Sequence, residues 1–512
     1  MGILLTIAGF TFGGILVTAV WFVYLLVKSY VGKSVNSPEY APVKGTVFQQ
    51  MLYFNRLYDH QTQLARSHRT FRLVGPSCSH LYTTEPRNVE HVLKTNFHSY
   101  SKGRYNQEII TDVFGHGIFA VDGDKWKQQR KLASFEFSTR VLRDFSCSVF
   151  RKNAEKLVAV VGDAAGRAFD VQDVLMRCTL DSIFEVGFGV ELRCLEGSSK
   201  EGGQFMKAFD DASALTYWRY ADPFWRLKRR FNLGAEASLR SNIRTIDDFV
   251  SHVIATKRRT TAKNGSGKED ILSRFLVESE KDPDTMNDRY LRDIILNFMI
   301  AGKDTSAGTL SWFFYMLSKN PLVQHKLARE VDEVAGGNNN AVDGTTSIVH
   351  DFIQGITDTT LDKMPYLHAA LTETLRLYPA VPIDGRCSEA DDILPDGTRV
   401  KKGDLVNYLA YSMGRMSYIW GDDAQDFRPE RWLNDDGAFQ PQSPFKFVAF
   451  HGGPRICLGR DFAYRQMKII AVALLRYFRF QLGGHDNVTY KTMFTLHIHG
   501  GLYLCATPRP AP

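Results

Sequence analysis

The chain of 512 residues lacks the short cysteine and histidine clusters that mark structural metal sites. Its seven cysteines, at 78, 147, 178, 194, 387, 457 and 505, are scattered and odd in number, and no two are spaced as C-x-x-C. Zinc ribbons and disulfide scaffolds are excluded, and the body reads as reduced and cytosol-facing. Internal repeats are missing. So is any G-x-G-x-x-G or P-loop in a strand–helix setting, which excludes a nucleotide site of the chain's own. A strong excess of one charge is missing too. The net charge of +7 is modest and dispersed, so no nucleic-acid partner is expected. It suits an acidic protein partner or an anionic membrane surface.

Charge of either sign is also missing from the first 27 residues, up to Lys28. A helix from Gly2 to Val27 would be about 39 Å long at ~1.5 Å per residue, enough to span a bilayer. Trp21 and Tyr24 suit the interfacial belt, and Lys28, Lys33 and Lys44 put the following chain on the cytosolic side. The run lacks a basic leader and is too long for a cleaved signal peptide. A single-pass membrane anchor at 2–27 is therefore expected, then a polar linker at 28–45, then one domain over 46–512. Glycosylation sequons at Asn264 and Asn487 would stay bare in that topology.

What the chain does have is 44% hydrophobic residues and long helical patterns. The longest runs from about Asp288 to Asn320, with Leu291, Ile294, Ile295, Phe298, Met299 and Leu310 on one face and Pro321 at its end. A second helix covers roughly 366–377. A third starts just after Cys457. Gly/Asn/Ser-rich loops are expected at 260–270 and 335–347. The fold class is mainly α with a small β region.

The stretch "FHGGPRICLG" (450–459) carries the sharpest chemistry. A lone cysteine is usually a buried free thiol. Here Cys457 precedes a helix, whose free N–H groups and positive dipole end point back at the sulfur and favour a thiolate. Gly453 and Gly459 allow close approach of backbone or a planar ligand. A thiolate so held, with no second thiol nearby, suits one axial metal bond.

With Phe450, Gly453, Arg455, Cys457 and Gly459 all in register, the segment resembles the haem-binding signature of the cytochrome P-450 superfamily of haem-thiolate monooxygenases. The resemblance implies haem b (iron protoporphyrin IX), with Cys457 as the axial iron ligand, Phe450 over the sulfur and Arg455 at a propionate. "AGKDTS" (301–306) resembles the family's oxygen-activation motif, with Ala301 and Gly302 opening the helix surface and Thr305 and Asp304 delivering protons. "ETLR" and "FRPERW" resemble the structural triad of Glu373, Arg376 and Arg431. Trp126 and Arg130 in "WKQQR", with Arg386, match propionate-binding positions.

The wording of these motifs looks like the plant clan that hydroxylates fatty acids, often at the omega carbon. The chain departs from it at Lys303, where arginine is common, and at His451-Gly452. Animal omega-hydroxylases carry a glutamate at the position of Ala301 that esterifies the haem, which Ala301 cannot do. The expected substrate is lipid-like, with Phe114, Ile118, Phe298, Ala301, Val381, Phe494 and Leu496 as candidate channel residues. Arg219 and Arg226, in the basic aromatic stretch 217–231, are candidates for capturing a carboxylate, although the stretch reads first as a membrane-surface segment. The resemblance further implies O2 and NADPH-derived electrons from an acidic flavoprotein reductase docking on Lys127, Lys131, Arg460 and Lys468, and location on the endoplasmic reticulum membrane facing the cytosol. The alternative is a monooxygenase acting on another lipophilic plant metabolite, such as a hormone conjugate or a terpenoid. Haem-thiolate lyases that need no O2 typically lack the acid–threonine pair this chain keeps. A non-catalytic haem protein is argued against by the intact Cys457, Thr305, Glu373 and Arg376.

Overall fold

The computed structural model describes residues 16, 18–138, 140–264, 270–335, 345–484 and 488–509. Long helices carry most of the chain. Those that build the site are α1 (Leu57–Ser67), α2 (Arg104–Phe114), α3 (Gly123–Ser138), α4 (Val171–Phe188), α5 (Lys200–Trp218), α6 (Asp288–Gly302), α7 (Asp304–Lys319), α8 (Pro365–Leu377) and α9 (Arg460–Tyr477). The largest sheet is mixed. It uses β1 (Val43–Thr46), β2 (Thr70–Val74), β3 (Ser79–Thr83), β4 (Tyr100–Ser101), β5 (Asp384–Ser388) and β6 (Leu405–Tyr408), in the order β1-β2-β3-β6-β5-β4. β3 and β6 pair in parallel, His80 opposite Leu405, while β5 and β6 are antiparallel. A smaller sheet joins Phe478–Leu482, Tyr503–Pro508 and Ala168–Asp170.

Three boundaries differ from the sequence expectation. The long apolar pattern is two helices, not one, with a break at Lys303. Thr305 Oγ1 donates to the Ala301 carbonyl at 2.6 Å, and Thr179 Oγ1 of α4 donates to the Lys303 carbonyl at 3.1 Å. Hydroxyls that draw on the carbonyls of one turn open the helical ladder there. α9 begins at Arg460 rather than directly after Cys457. The end of the expected linker is β1, and Arg72 pins the segment before it by donating to the carbonyls of Lys33, Ser34 and Ala41 at 2.8 Å each.

Most of the expected membrane anchor lies outside the described residues. Residues 18–30 are helical. Among the described residues no helix is long and apolar enough to cross a membrane. Of the expected loops at 260–270 and 335–347, residues 265–269 and 336–344 lie outside the described residues, as does Asn487; 260–264 instead end the helix Ala235–Asn264, and 345–347 begin the helix Thr345–Gln354.

One charged knot positions the cysteine loop. Glu373 and Arg376 on α8 are both fully buried, and Arg376 Nε and Nη2 donate to the two Glu373 oxygens at 2.7 Å each. Glu373 also accepts from the Arg428 N–H at 2.9 Å, from Arg431 Nε at 3.3 Å and from Trp432 Nε1 at 2.8 Å. Arg376 in turn donates to the carbonyls of Gly414, Ala424 and Asp426. The irregular stretch 414–432 is thereby clamped to α8. The Trp432 ring meets Phe447 at 4.9 Å, and Phe447 meets Phe450 at 6.5 Å, where the cysteine loop starts.

Removing one partner of a buried ion pair costs about 3–5 kcal/mol, a large part of the roughly 5–15 kcal/mol that holds a protein folded. Glu373→Ala is therefore expected to abolish the folded protein or lower its thermal midpoint sharply. A stability change within about 1 kcal/mol, the scale of a surface pair, would contradict this account of the knot.

Candidate active site

The cysteine loop is a chain of tight turns held by its own backbone. The Cys457 N–H donates to the Phe450 carbonyl at 2.9 Å, closing the loop, and the Gly459 N–H points at the sulfur. Gly453 sits at φ +65°, and a Cβ there would lie 1.8 Å from the Leu93 carbonyl oxygen, so no other residue fits. His451 at φ +57° and ψ −168° holds a conformation otherwise nearly confined to glycine. The neighbouring Gly452 answers a separate demand, because a Cβ there would meet the Phe445 ring at 2.6 Å.

A cavity of about 390 Å³ opens on this loop, within the usual range for small-molecule sites. Cys457 and Gly459 line one side. Ala301, Gly302 and Thr305, at the break between α6 and α7, also line it. The absent Cβ of Gly302 has a second cause, since it would strike Ile183 of α4 at 2.6 Å. The sulfur is exposed to the cavity, yet burial among protein atoms pushes the thiol up from its ordinary value. The Gly459 N–H and the Arg130 charge pull the other way without winning. The helix end alone therefore does not make the thiolate expected from sequence. A bound cation would supply the missing stabilisation.

The flank of the cavity is strongly cationic. Lys102, Arg130, Arg386 and Arg455 all line it. Against these four stand two carboxylates, Asp384 and Asp122. Asp384 takes Lys102 Nζ at 3.1 and 3.2 Å and Arg386 Nη1 at 2.8 Å, and Asp122 takes Arg455 Nη2 at 2.6 Å. Two positive charges are left over in a half-buried place. Burial, and after it repulsion from Arg386, push Lys102 down to about 8 and Arg455 down to about 10. Arg386 Nε is buried with no hydrogen-bond partner. Arg130 donates to the Ile456 carbonyl at 2.8 Å, and the Arg455 guanidinium lies 4.4 Å from the centre of the Trp126 ring. A planar dianion with two carboxylates fits this excess, the orphaned Nε and a single sulfur ligand below. Haem has that form.

His451 completes the flank. The Tyr408 phenol O–H donates a hydrogen bond to Asp384 at 2.8 Å, so His451 Nδ1–H donates to the phenol oxygen at 2.7 Å. Burial pushes the imidazole down to about 4, so it is neutral here. Lys102, Asp384 and Tyr408 were not legible from sequence. They lie on three separate strands or loops, and no local spacing connects them.

Of the sequence candidates, Phe450, Arg455, Gly459, Trp126, Arg130, Arg386, Phe114, Ile118, Phe298, Ala301, Val381, Phe494 and Thr305 all line the one cavity with Cys457. Two do not. Leu496 is buried in the core, its N–H on the Ala380 carbonyl and its own carbonyl accepting Trp312 Nε1 at 2.8 Å. Asp304 is turned away from the cavity and fully buried. It accepts from Lys303 Nζ at 2.7 Å and Thr495 Oγ1 at 3.2 Å, with His497 Nε2 at 3.6 Å. These neighbours hold its carboxyl well below the usual range. Lys303, fully buried, also donates to Asp210 on α5 at 2.6 Å, and Asp210 is about a quarter exposed. The lysine of the motif is thus a link between the buried acid and the surface.

The surface candidates separate in the same way. Arg219 is 2% exposed and saturated by Glu236, Asp112 and the Ile109 carbonyl, so it is not free to capture a carboxylate. Arg226 is exposed and paired with Glu108. Lys468 is buried and donates to the Leu361 carbonyl, which removes it from any docking face.

A family model described as cytochrome P450 (here written P-450) matches residues 35–505. Cytochrome P-450 704C1 of Pinus taeda is 49% identical over 495 residues, 95% of each chain. Cytochrome P-450 704B1 of Arabidopsis thaliana is 42% identical over 501 residues, 93% of this chain and 95% of its own. Cytochrome P-450 86B1 of Arabidopsis thaliana is 40% identical over 443 residues, 85% of this chain and 78% of its own.

Cys457→Ala is expected to fold but to lose the red-shifted Soret band of the reduced, CO-bound protein. Arg386→Leu should keep that band and lower the haem retained per chain, measured as haem absorbance per mole of purified protein. An intact band in Cys457→Ala would refute the ligand assignment.

Proposed function

The chain belongs to the cytochrome P-450 family, and on that premise we propose that it hydroxylates long-chain fatty acids, at or near the omega carbon. The observation that carries the reading is the cavity wall beside Cys457. Phe114, Phe298, Val381 and Phe494 make it apolar where a chain end would meet the iron. A terminal methyl offers no polar handle, so only steric confinement selects it over internal C–H bonds. The motif resemblance to the plant fatty-acid clan supports the same substrate class.

Haem, when bound, supplies the oxygen activation, with electrons from an NADPH-dependent reductase. The chain supplies the rest. Cys457 would ligate the iron, and Arg130, Arg386 and Arg455 would neutralise the propionates. Thr305 holds its hydroxyl on the cavity wall against the Ala301 carbonyl, where it can pass a proton to water in the cavity. Next to it in sequence, Asp304 keeps an ionised carboxylate, and Lys303 joins that carboxylate to the surface at Asp210. The aromatic walls exclude bulk water from the reacting end.

The reading includes attachment to the endoplasmic reticulum membrane through residues 2–27, with the domain on the cytosolic side. The exposed Leu227, Phe231 and Leu233, interleaved with Arg226, Lys228 and Arg229, support contact with a lipid surface. Lys127, Lys131 and Arg460 remain as the docking cations for the reductase.

Microsomal protein, supplied with a reductase, NADPH and a panel of C12 to C18 acids, is expected to give terminally hydroxylated products, located by mass spectrometry. Turnover of hormone conjugates or terpenoids, with none of the acids, would reject the fatty-acid reading.

A further inference from the structure

Part of the cavity wall is carried by a turn rather than by a helix or a strand. Between α2 and α3 the chain runs through residues 115–122, and Ile118 and Phe119 of this turn line the cavity beside Phe114, the last residue of α2. Phe119 is 40% exposed, so its ring is placed by the backbone beneath it and not by packing in a core.

That backbone is tied to α6 by two buried side chains one helical turn apart. Asn297 is 1% exposed. Its Nδ2 donates to the Phe114 carbonyl at 2.9 Å and to the Asp293 carbonyl of its own helix at 2.7 Å. Its Oδ1 accepts the Phe119 N–H at 3.3 Å. Two carbonyls on one side and an N–H on the other fix which way the amide lies. Asp293, 2% exposed, accepts the His116 N–H at 2.8 Å. The turn is shaped to these contacts. A Cβ on Gly117 would lie 2.1 Å from Asn297 Nδ2, and one on Gly115, at φ +53°, would lie 2.0 Å from the Asp293 carboxylate. Glycine at both positions lets the backbone lie directly on the two side chains.

Both ends of the turn are fastened next to the reacting centre. Asn297 precedes Ala301 by one turn on the same face of α6, about 6 Å along the axis at ~1.5 Å per residue, and both line the cavity. At the other end the Val121 carbonyl and Asp122 accept from Arg455 Nη2 at 2.9 and 2.6 Å, and Arg455 is two residues before Cys457. The turn thus bridges the Ala301 wall and the cysteine loop. A primary amide is the group that can donate to one end of it and accept from the other. A carboxylate at 297 would face two carbonyl oxygens. Leucine would take away the acceptor of the Phe119 N–H, and a buried N–H left unpaired drives the backbone toward water.

We propose that Asn297, with Asp293 beside it, is a positioning residue that sets the regiochemistry: it holds the 115–122 turn so that Ile118 and Phe119 crowd the flank of a bound aliphatic chain and leave its end free to approach the Cys457 side. This rests on the reading of the cavity as a site for hydroxylation at or near a chain end, and it assigns the source of the terminal preference. Asn297 acts through the backbone it holds, not through a bond to the reacting carbon.

The test uses the haem-loaded full chain with a reductase, NADPH and hexadecanoate, and reads the ratio of terminal to in-chain hydroxylated product by mass spectrometry. Such a ratio does not depend on how much folded enzyme is present, so a loss of stability alone leaves it unmoved. Asn297→Leu, of similar volume, removes the polar clamp from the helix side. Gly117→Ala adds one methyl against Asn297 and lifts the turn from its own side, with no polar group removed. Each is expected to keep the red-shifted CO-bound band and to lower the ratio about threefold or more, within the range that one net hydrogen bond is worth. If Asn297→Leu loses the band, Gly117→Ala decides. An unchanged ratio in every variant that keeps the band overturns the clamp and leaves the fatty-acid reading standing. Loss of the band in both variants overturns it as well, since the turn would then serve the haem site and not the substrate. Absence of any hydroxylated acid from the unsubstituted protein overturns both the clamp and the fatty-acid reading.

Discussion

The buried carboxylate of Glu373 is the constraint on which the site depends. It collects two arginines, an indole N–H and a backbone N–H from its own helix and from the stretch 428–432. A charge in that position is tolerable only while every partner is present, because its desolvation cost is otherwise unrecovered. The irregular stretch 414–432 has little regular secondary structure of its own, so these bonds do the work that a helix or a sheet would do. Through Trp432 and Phe447 the order reaches Phe450, and the carbonyl of Phe450 closes the loop that presents Cys457.

The cavity above that loop is electrically lopsided. At the cysteine end cations outnumber carboxylates, and the surplus fits the two propionates of a haem. At the α1 end polarity persists but charge does not, since burial keeps His80 and Tyr82 neutral and Gln61 carries none. Between them the wall is aromatic. That apolar wall offers contact area and no directional bonds. The break at Lys303 serves the same division. It puts Thr305 on the cavity wall and turns Asp304 into a buried network that ends at the partly exposed Asp210.

Legibility followed locality. The cysteine segment, the acid–threonine pair and the Glu373–Arg376 spacing were readable because each is a short pattern within a few residues. The apolar pattern over 288–320 was readable as helix, but its break was not, since Thr179 of a distant helix takes part in it. Asp304 was expected on the cavity and lies off it, because Thr495 and His497 come from the far end of the chain to hold it. Arg219 read as a surface cation and is buried, because Asp112 and Glu236 converge on it from two other helices.

Sequence by itself determined the family and the helical class, since motif spacing and hydrophobic period are properties of neighbouring residues. Tertiary structure alone decided which charges are buried, which polar groups are left without partners and which end of the cavity is neutral. Burial and pairing are set by segments hundreds of residues apart, as with Lys102 and Asp384 or Asp304 and Thr495, and no local pattern records them. Gln61 makes the point most plainly: in sequence it is one polar residue of an amphipathic helix, and only the packing around it leaves its amide buried and unsatisfied.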